Sequence, residues 1–221
     1  MEKEVDKLSN YISRIEDAIS LSENIRLFPD EDFLTDSKAN LRNITFDKKI
    51  AKPRENKIAF FNSLADSETR LLQTGVNKGI EFISTLYDKK LDCAIAIDDF
   101  GGESYANDMC DSFLVSCDLN NIFIGQHFSF FKRNYVKNEE IKNAIFKINL
   151  FYHFGDNTFS VRKNIISNYY DCLDDICIFV THAWDREPVR SGTAHSIDAC
   201  KLNILEKWVL HDNTFICLLQ K

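Results

Sequence analysis

The sequence predicts an α/β domain built on a mainly parallel sheet. Three observations predict it. Residues 93–97 form a continuous apolar run, as expected of a strand buried on both faces, and 121–125 and 176–181 read as further such strands. Segments of helical period stand between such runs, the pattern of parallel strands joined by crossover helices. Glycine is scarce, seven in 221 residues, and five of the seven follow or end a proposed strand. In such sheets ligands bind outside the carboxyl ends of the strands, so these glycines mark that edge.

Each element has its own signal. Val5, Leu8, Ile12, Ile15 and Ile19 recur at three- and four-residue steps, so residues 5–21 read as an amphipathic helix. Residues 24–43 are polar and irregular. Residues 1–42 are therefore assigned to an N-terminal helix and linker extension, and 43–221 to the main domain. Ile44-Thr45-Phe46 is a weak first strand. A helix over 56–65 turns Ile58, Phe61 and Leu64 inward. A strand over 70–75 ends in Gly75, and a helix over 76–90 follows. Strand 93–97 runs into Asp98-Asp99-Phe100-Gly101-Gly102. A helix is expected over 105–116 and a strand over 121–125, ending at Gly125. Residues 126–160 hold a short helix over 139–146 and the apolar run 148–154. Helix 161–172, strand 176–181 and helix 193–205 come next. Strands 207–211 and 214–219 close the chain, joined at Asp212-Asn213 by a tight turn.

Composition bounds the function. Hydrophobic residues make up 44% and charged residues 28%, which excludes whole-chain disorder. No apolar run reaches the length of a membrane span, and the charged first residues lack a signal-peptide core, so a cytoplasmic protein without membrane partners is expected. The net charge of −7 weighs against a broad field for nucleic-acid phosphates. Seven cysteines occur without a C-x-x-C pair or Cys/His zinc spacing. Free core thiols in a reducing compartment are expected, with no metal and no cofactor.

Three stretches carry candidate chemistry. In Thr74-Gly75-Val76-Asn77-Lys78-Gly79 a glycine ends a strand and a basic residue and glycine lead into a helix, an arrangement that presents backbone N–H groups to phosphate. Phe159-Ser160-Val161-Arg162-Lys163-Asn164 puts two cations and an amide at the start of a helix. Ser191-Gly192-Thr193 is a small hydroxyl-bearing turn expected to open the next helix, another phosphate-binding design. The bland alternatives are a geometric turn, a solvated first turn and a helix cap.

In their order and spacing these stretches resemble the SMF/DprA–LOG (SLOG) superfamily of Rossmann-like domains, nearest the DNA-processing protein A core, over about 44–219. The resemblance implies a Rossmann-like three-layer fold. It also implies a nucleotide- or phosphate-binding site of Gly75, Lys78, Gly79, Asp99, Arg162, Lys163, Asn164, Ser191, Gly192 and Thr193. The partner it implies is a nucleotide or single-stranded DNA, in DNA processing or recombination. Two departures stand beside it. The family's first phosphate loop has no glycine here, only Phe46-Asp47-Lys48-Lys49, where Lys48 or Lys49 would have to replace an arginine. No glutamate follows Gly192-Thr193, which the LOG-type phosphoribohydrolases need.

Other residues have weaker claims. His182 and His195 flank the expected ligand edge, where they either meet across it or are ordinary polar loop residues. Asp98 and Asp99 follow a buried strand, where a carboxylate can take ribose hydroxyls. Trp184 either stacks on a base or covers the sheet. The run His127-Phe128-Ser129-Phe130-Phe131-Lys132-Arg133-Asn134-Tyr135 mixes rings with cations. The expectation is thus a DprA-like binding protein with no assigned catalytic residue. The alternatives are a LOG-type nucleotide N-glycosidase and a catalytically inactive nucleotide sensor or scaffold. The N-terminal helix is then a docking element for another subunit, a second copy or a protein partner.

Overall fold

The computed structural model describes residues 2–27, 40–48, 50, 53–100, 103–122, 128–133 and 147–221. Helix α1 spans Glu2–Leu27, α2 Glu55–Ser63, α3 Ile80–Leu86, α4 Glu103–Leu119, α5 Phe159–Tyr169 and α6 Glu187–Ala199. The strands are β1 Arg70–Thr74, β2 Cys93–Asp98, β3 Phe128–Lys132, β4 Ile148–His153, β5 Leu173–Thr181, β6 Asn203–Val209 and β7 Phe215–Gln220. They form one seven-stranded sheet in the order β3-β2-β1-β4-β5-β7-β6. Strand β1 pairs parallel with β2 and β4, and β4 with β5, whereas β7 runs antiparallel between β5 and β6. The fold is therefore Rossmann-like α/β, mainly parallel, with an N-terminal helix, as the sequence predicts.

The chain divides into two compact units. The first takes in residues 1–68, 76–92 and 100–128 and carries α1 to α4. In it α1 buries Tyr11, Ile15, Ala18 and Ile25 along α2. Arg14 lies over the Tyr11 ring and forms an ion pair with Asp66, which ties the helix to the end of α2. Phe82, Phe113 and Phe128 meet edge-on or tilted at 5.3–6.5 Å between centroids. Gly79 caps α3 at φ 80°, and a Cβ there would lie 2.3 Å from the Phe113 ring.

The second unit takes in residues 69–75, 93–99 and 129–221 and carries nearly all of the sheet with α5 and α6. Its core lies where these helices cover one face. Leu72, Ile97, Phe151, Phe179 and Cys217 pack there against Ile165, Ile166 and Ile197. Phe151 is the hub, edge-on to Tyr169 at 5.6 Å and to Phe179 at 5.4 Å. The helices approach closely at Gly192, whose added Cβ would lie 2.5 Å from the Arg162 Cβ. All seven cysteines are free thiols. Burial pushes those of Cys117 and Cys217 well above the usual thiol range. No described helix is long and apolar enough to cross a membrane.

Several local expectations are corrected. Residues 44–47 form no strand. The peptide of Thr45 is instead held by the Asn120 side chain, which accepts from Thr45 N at 2.9 Å and donates to Thr45 O at 2.5 Å. Asn121 and Ile122 sit in a turn after α4, Asn121 at φ 53°, and the third strand begins at Phe128, inside the aromatic run. Lys49, Gly101, Gly102, Gly125, His127 and residues 139–146 lie outside the described residues. Helix α3 starts only at Ile80, because Asn77 and Gly79 take positive φ. Helix α6 starts at Glu187 rather than Thr193, because Pro188 fixes φ at the first turn and lacks the N–H that a helix start leaves unpaired. The closing hairpin turns where the sequence places it, with Asn213 at φ 63° and Leu210 N donating to Thr214 O at 2.8 Å.

Candidate functional site

The strand order reverses between β1 and β4, so the carboxyl ends of β2, β1, β4 and β5 form the expected ligand edge. The chains close tightly there. Gly75 N donates to Ile97 O at 3.0 Å, and Phe154 N donates to Thr74 O at 2.9 Å. Gly75 takes φ 73°, and a Cβ on it would lie 2.1 Å from Gly155 N. Its lack of a side chain thus serves the contact between the ends of β1 and β4.

Successive strand residues point to opposite faces, so this edge has two sides. Thr74, His153 and Thr181 share the face covered by α5 and α6. Arg162 reaches them from α5, fully buried. Its Nε donates to Asp156 O at 2.9 Å and its Nη1 to His153 O at 3.3 Å. Nη1 also donates to Thr181 Oγ1, and Nη2 to Asn157 Oδ1 at 2.5 Å. Thr181 Oγ1 donates in turn to His153 O at 2.8 Å, and His153 Nδ1 lies 2.8 Å from Thr74 Oγ1. Burial first, then the Arg162 guanidinium and His182, hold the His153 imidazole well below the usual histidine range, so it is neutral. This side carries a hydrogen-bonded network: it fixes the loop after β4 and clamps β4 to β5.

Gln73, Asp98, Tyr152, Phe154 and His182 belong to the opposite face. Gln73 pairs in register with Ala96 and Tyr152, and Asp98 follows Ala96 by two residues. The Gln73 side chain is fully buried, yet among the described residues neither its Oε1 nor its Nε2 has a hydrogen-bond partner. Leaving a buried amide unpaired costs roughly 1–3 kcal/mol, so it calls for an explanation. Asp98 is buried and Asp99 exposed at the end of β2. An aromatic row runs outward: Tyr152 meets Phe154 at 5.7 Å, and Phe154 stacks on His182 at 5.2 Å and 26°.

Within the sheet unit the predicted site residues do not converge. Gly75 and Asp99 lie at the edge. Lys78 and Gly79 belong to the helical unit, where Gly79 meets Phe113. The Arg162 donors are taken up inside the protein. Lys163 is half-exposed with its Nζ 5.9 Å from the Phe159 ring centroid, and the exposed Asn164 donates to Ser160 O at 3.2 Å. Ser191, Gly192 and Thr193 lie inside α6. Ser191 Oγ donates back to Glu187 O at 2.9 Å, and Thr193 is buried against the packed side of the helix. A helix interior offers no free N–H groups, so this stretch cannot act as a phosphate turn. His182 and His195 have separate partners, Phe154 and, at 6.1 Å, Phe159. Trp184 covers the sheet, stacked on Phe215 at 3.7 Å and 8°. The residue missed was Gln73, and its signal was available: a polar amide inside an apolar central strand, two positions before a glycine.

No protein-family model and no curated protein sequence matches the chain. Solved structures do. The ribosomal protein L11 methylase of Lactobacillus delbrueckii subsp. bulgaricus is similar at TM-score 0.56 and 12% identity, over 80% of this chain and 84% of that one. The precorrin-6y methyltransferase of Geobacter metallireducens is similar at 0.56 and 9%, over 81% and 96%. A candidate SAM-dependent methyltransferase of Streptococcus mutans is similar at 0.54 and 9%, over 76% and 48%. These likenesses show that the chain has the Rossmann-like fold of these methyltransferases. They overturn the SLOG resemblance, and with it the DprA-like DNA-binding reading, the LOG-type glycosidase and the nucleotide sensor. The geometry agrees: the Arg162 cation and the Ser191-Gly192-Thr193 stretch lack the placement that resemblance required, and residues 44–47 form no strand.

Proposed function

We propose that the chain binds S-adenosylmethionine at the Gln73 and Asp98 side of the sheet edge and transfers its methyl group. One observation carries the reading: the fully buried carboxamide of Gln73, without a hydrogen-bond partner among the described residues, at the reversal point of the strand order. The methyltransferase form of the fold supports it.

The residues fit such a group. Asp98 and Asp99 end β2, the position from which a carboxylate takes ribose hydroxyls in nucleotide-binding sheets. Gln73 both donates and accepts, which suits the charged amino-acid end of the ligand. Bound there, S-adenosylmethionine supplies an electrophilic methyl group on a sulfonium. The chain's own part is to orient the nucleoside through the β2 carboxylates and to keep the β1–β4 junction closed through Gly75 and Gly155.

Calorimetric titration with S-adenosylmethionine and S-adenosylhomocysteine tests this. Saturable one-site binding, weakened in a Asp98→Asn, Asp99→Asn double variant, is expected. No heat and no thermal shift with either ligand at millimolar concentration would overturn it.

A further inference from the structure

The aromatic row beyond Gln73 has a polarity of exposure. Tyr152 is fully buried, Phe154 is 5% exposed, and His182, stacked on Phe154, is half-buried at the rim. The loop that follows His182 is tied down by hydrogen bonds. Ala183 takes φ 58°, a left-handed value that a residue with a Cβ rarely adopts. Trp184 N donates to Asn213 O at 3.0 Å, and Arg190 Nη1 donates to Trp184 O at 3.0 Å and Asp185 O at 2.7 Å. A half-buried ring stacked on a second ring, ahead of a hydrogen-bonded loop, offers a stacking surface.

The lateral order of the strands separates it from the nucleoside. Asp98 ends β2 and His182 follows β5, with β1 and β4 between them. Three strand spacings amount to about 14 Å. A ligand whose ribose lies at β2 and whose reactive end reaches the β1–β4 junction leaves the β5 side for a second molecule. We propose that His182, backed by Phe154, is the platform for the methyl acceptor, and that the acceptor is a planar heteroaromatic ring such as a nucleobase. This rests on the adenosyl site proposed above.

The test uses the full chain saturated with S-adenosylhomocysteine, with 2-aminopurine as probe, whose fluorescence falls when it stacks. Saturable quenching is expected. His182→Ala should weaken it about tenfold, the usual scale of base–aromatic stacking, and His182→Tyr should restore most of it. S-adenosylhomocysteine affinity should stay the same in both variants. No quenching with the wild type, or equal affinity in His182→Ala, would overturn the platform. Quenching without any S-adenosylhomocysteine binding would leave the platform standing and remove the methyl-transfer reading instead.

Discussion

At the carboxyl edge of this sheet the two faces solve opposite problems. On the helix-covered face, Thr74, His153, Thr181 and Arg162 bond to one another or to the loop after β4, and the buried cation is matched to oxygen acceptors. On the other face, Gln73 is just as buried, yet neither of its polar atoms has a partner among the described residues. The contrast separates residues that hold the fold from residues available to a ligand. A basic residue at the start of a helix looks like a ligand group in sequence, and here it is a clamp. A glutamine in an apolar strand looks like an oddity, and here it is the better candidate.

The comparison can be broken most decisively at Arg162. Truncation to Ala removes every donor that Arg162 gives to Asp156 O, His153 O, Thr181 Oγ1 and Asn157 Oδ1 and empties a fully buried site, so a loss of about 3 kcal/mol or more is expected in urea unfolding. A loss under about 1 kcal/mol would mean that the clamp is not structural. Gly192→Ala should cost roughly 1–3 kcal/mol by the same assay, because its Cβ meets the Arg162 Cβ at 2.5 Å and two helices must part.

Gln73→Leu sharpens the other side. Removing an unsatisfied buried amide at similar volume should stabilise the ligand-free protein by about 1 kcal/mol, while S-adenosylhomocysteine binding weakens. A variant that is destabilised and binds normally would show that the amide is satisfied in the free protein.

His153 gives a pH signature. Its folded pKa lies below the unfolded value, so the unfolded chain binds the proton first. Stability should be flat above about pH 6.5 and fall below it, by up to about 1.4 kcal/mol per pH unit. His153→Gln should flatten that slope in denaturation series from pH 7.5 to 5. The smallest effects belong to Lys163→Ala and Asn164→Ala, at or near the surface of α5: within about 0.5 kcal/mol, with ligand affinity unchanged.

The sheet was legible because its central strands are apolar on both faces, which leaves a periodicity that sequence can carry. Element starts were less so. Residues 44–46 have strand-like composition, but their peptide bonds to Asn120, a partner 75 positions away. Ser191-Gly192-Thr193 has the composition of a helix start, but Pro188 had already begun the helix. Gly192 is there for helix packing and Gly75 for the β1–β4 contact, so glycines that read as phosphate turns answer to neighbours distant in sequence. The site was hidden for a related reason. Whether Arg162 or Gln73 has its hydrogen bonds filled depends on which face each residue joins, and that is settled only when β1, β4 and β5 lie side by side.

The most direct measurement is a crystal structure of the full chain with S-adenosylhomocysteine. The account predicts the ligand on the Gln73 face, its ribose at the β2 carboxylates and its amino-acid end within hydrogen-bond reach of the Gln73 amide, with the Arg162 network unchanged. A ligand seated on the Arg162 side, or bound with Gln73 still unpartnered, would contradict it.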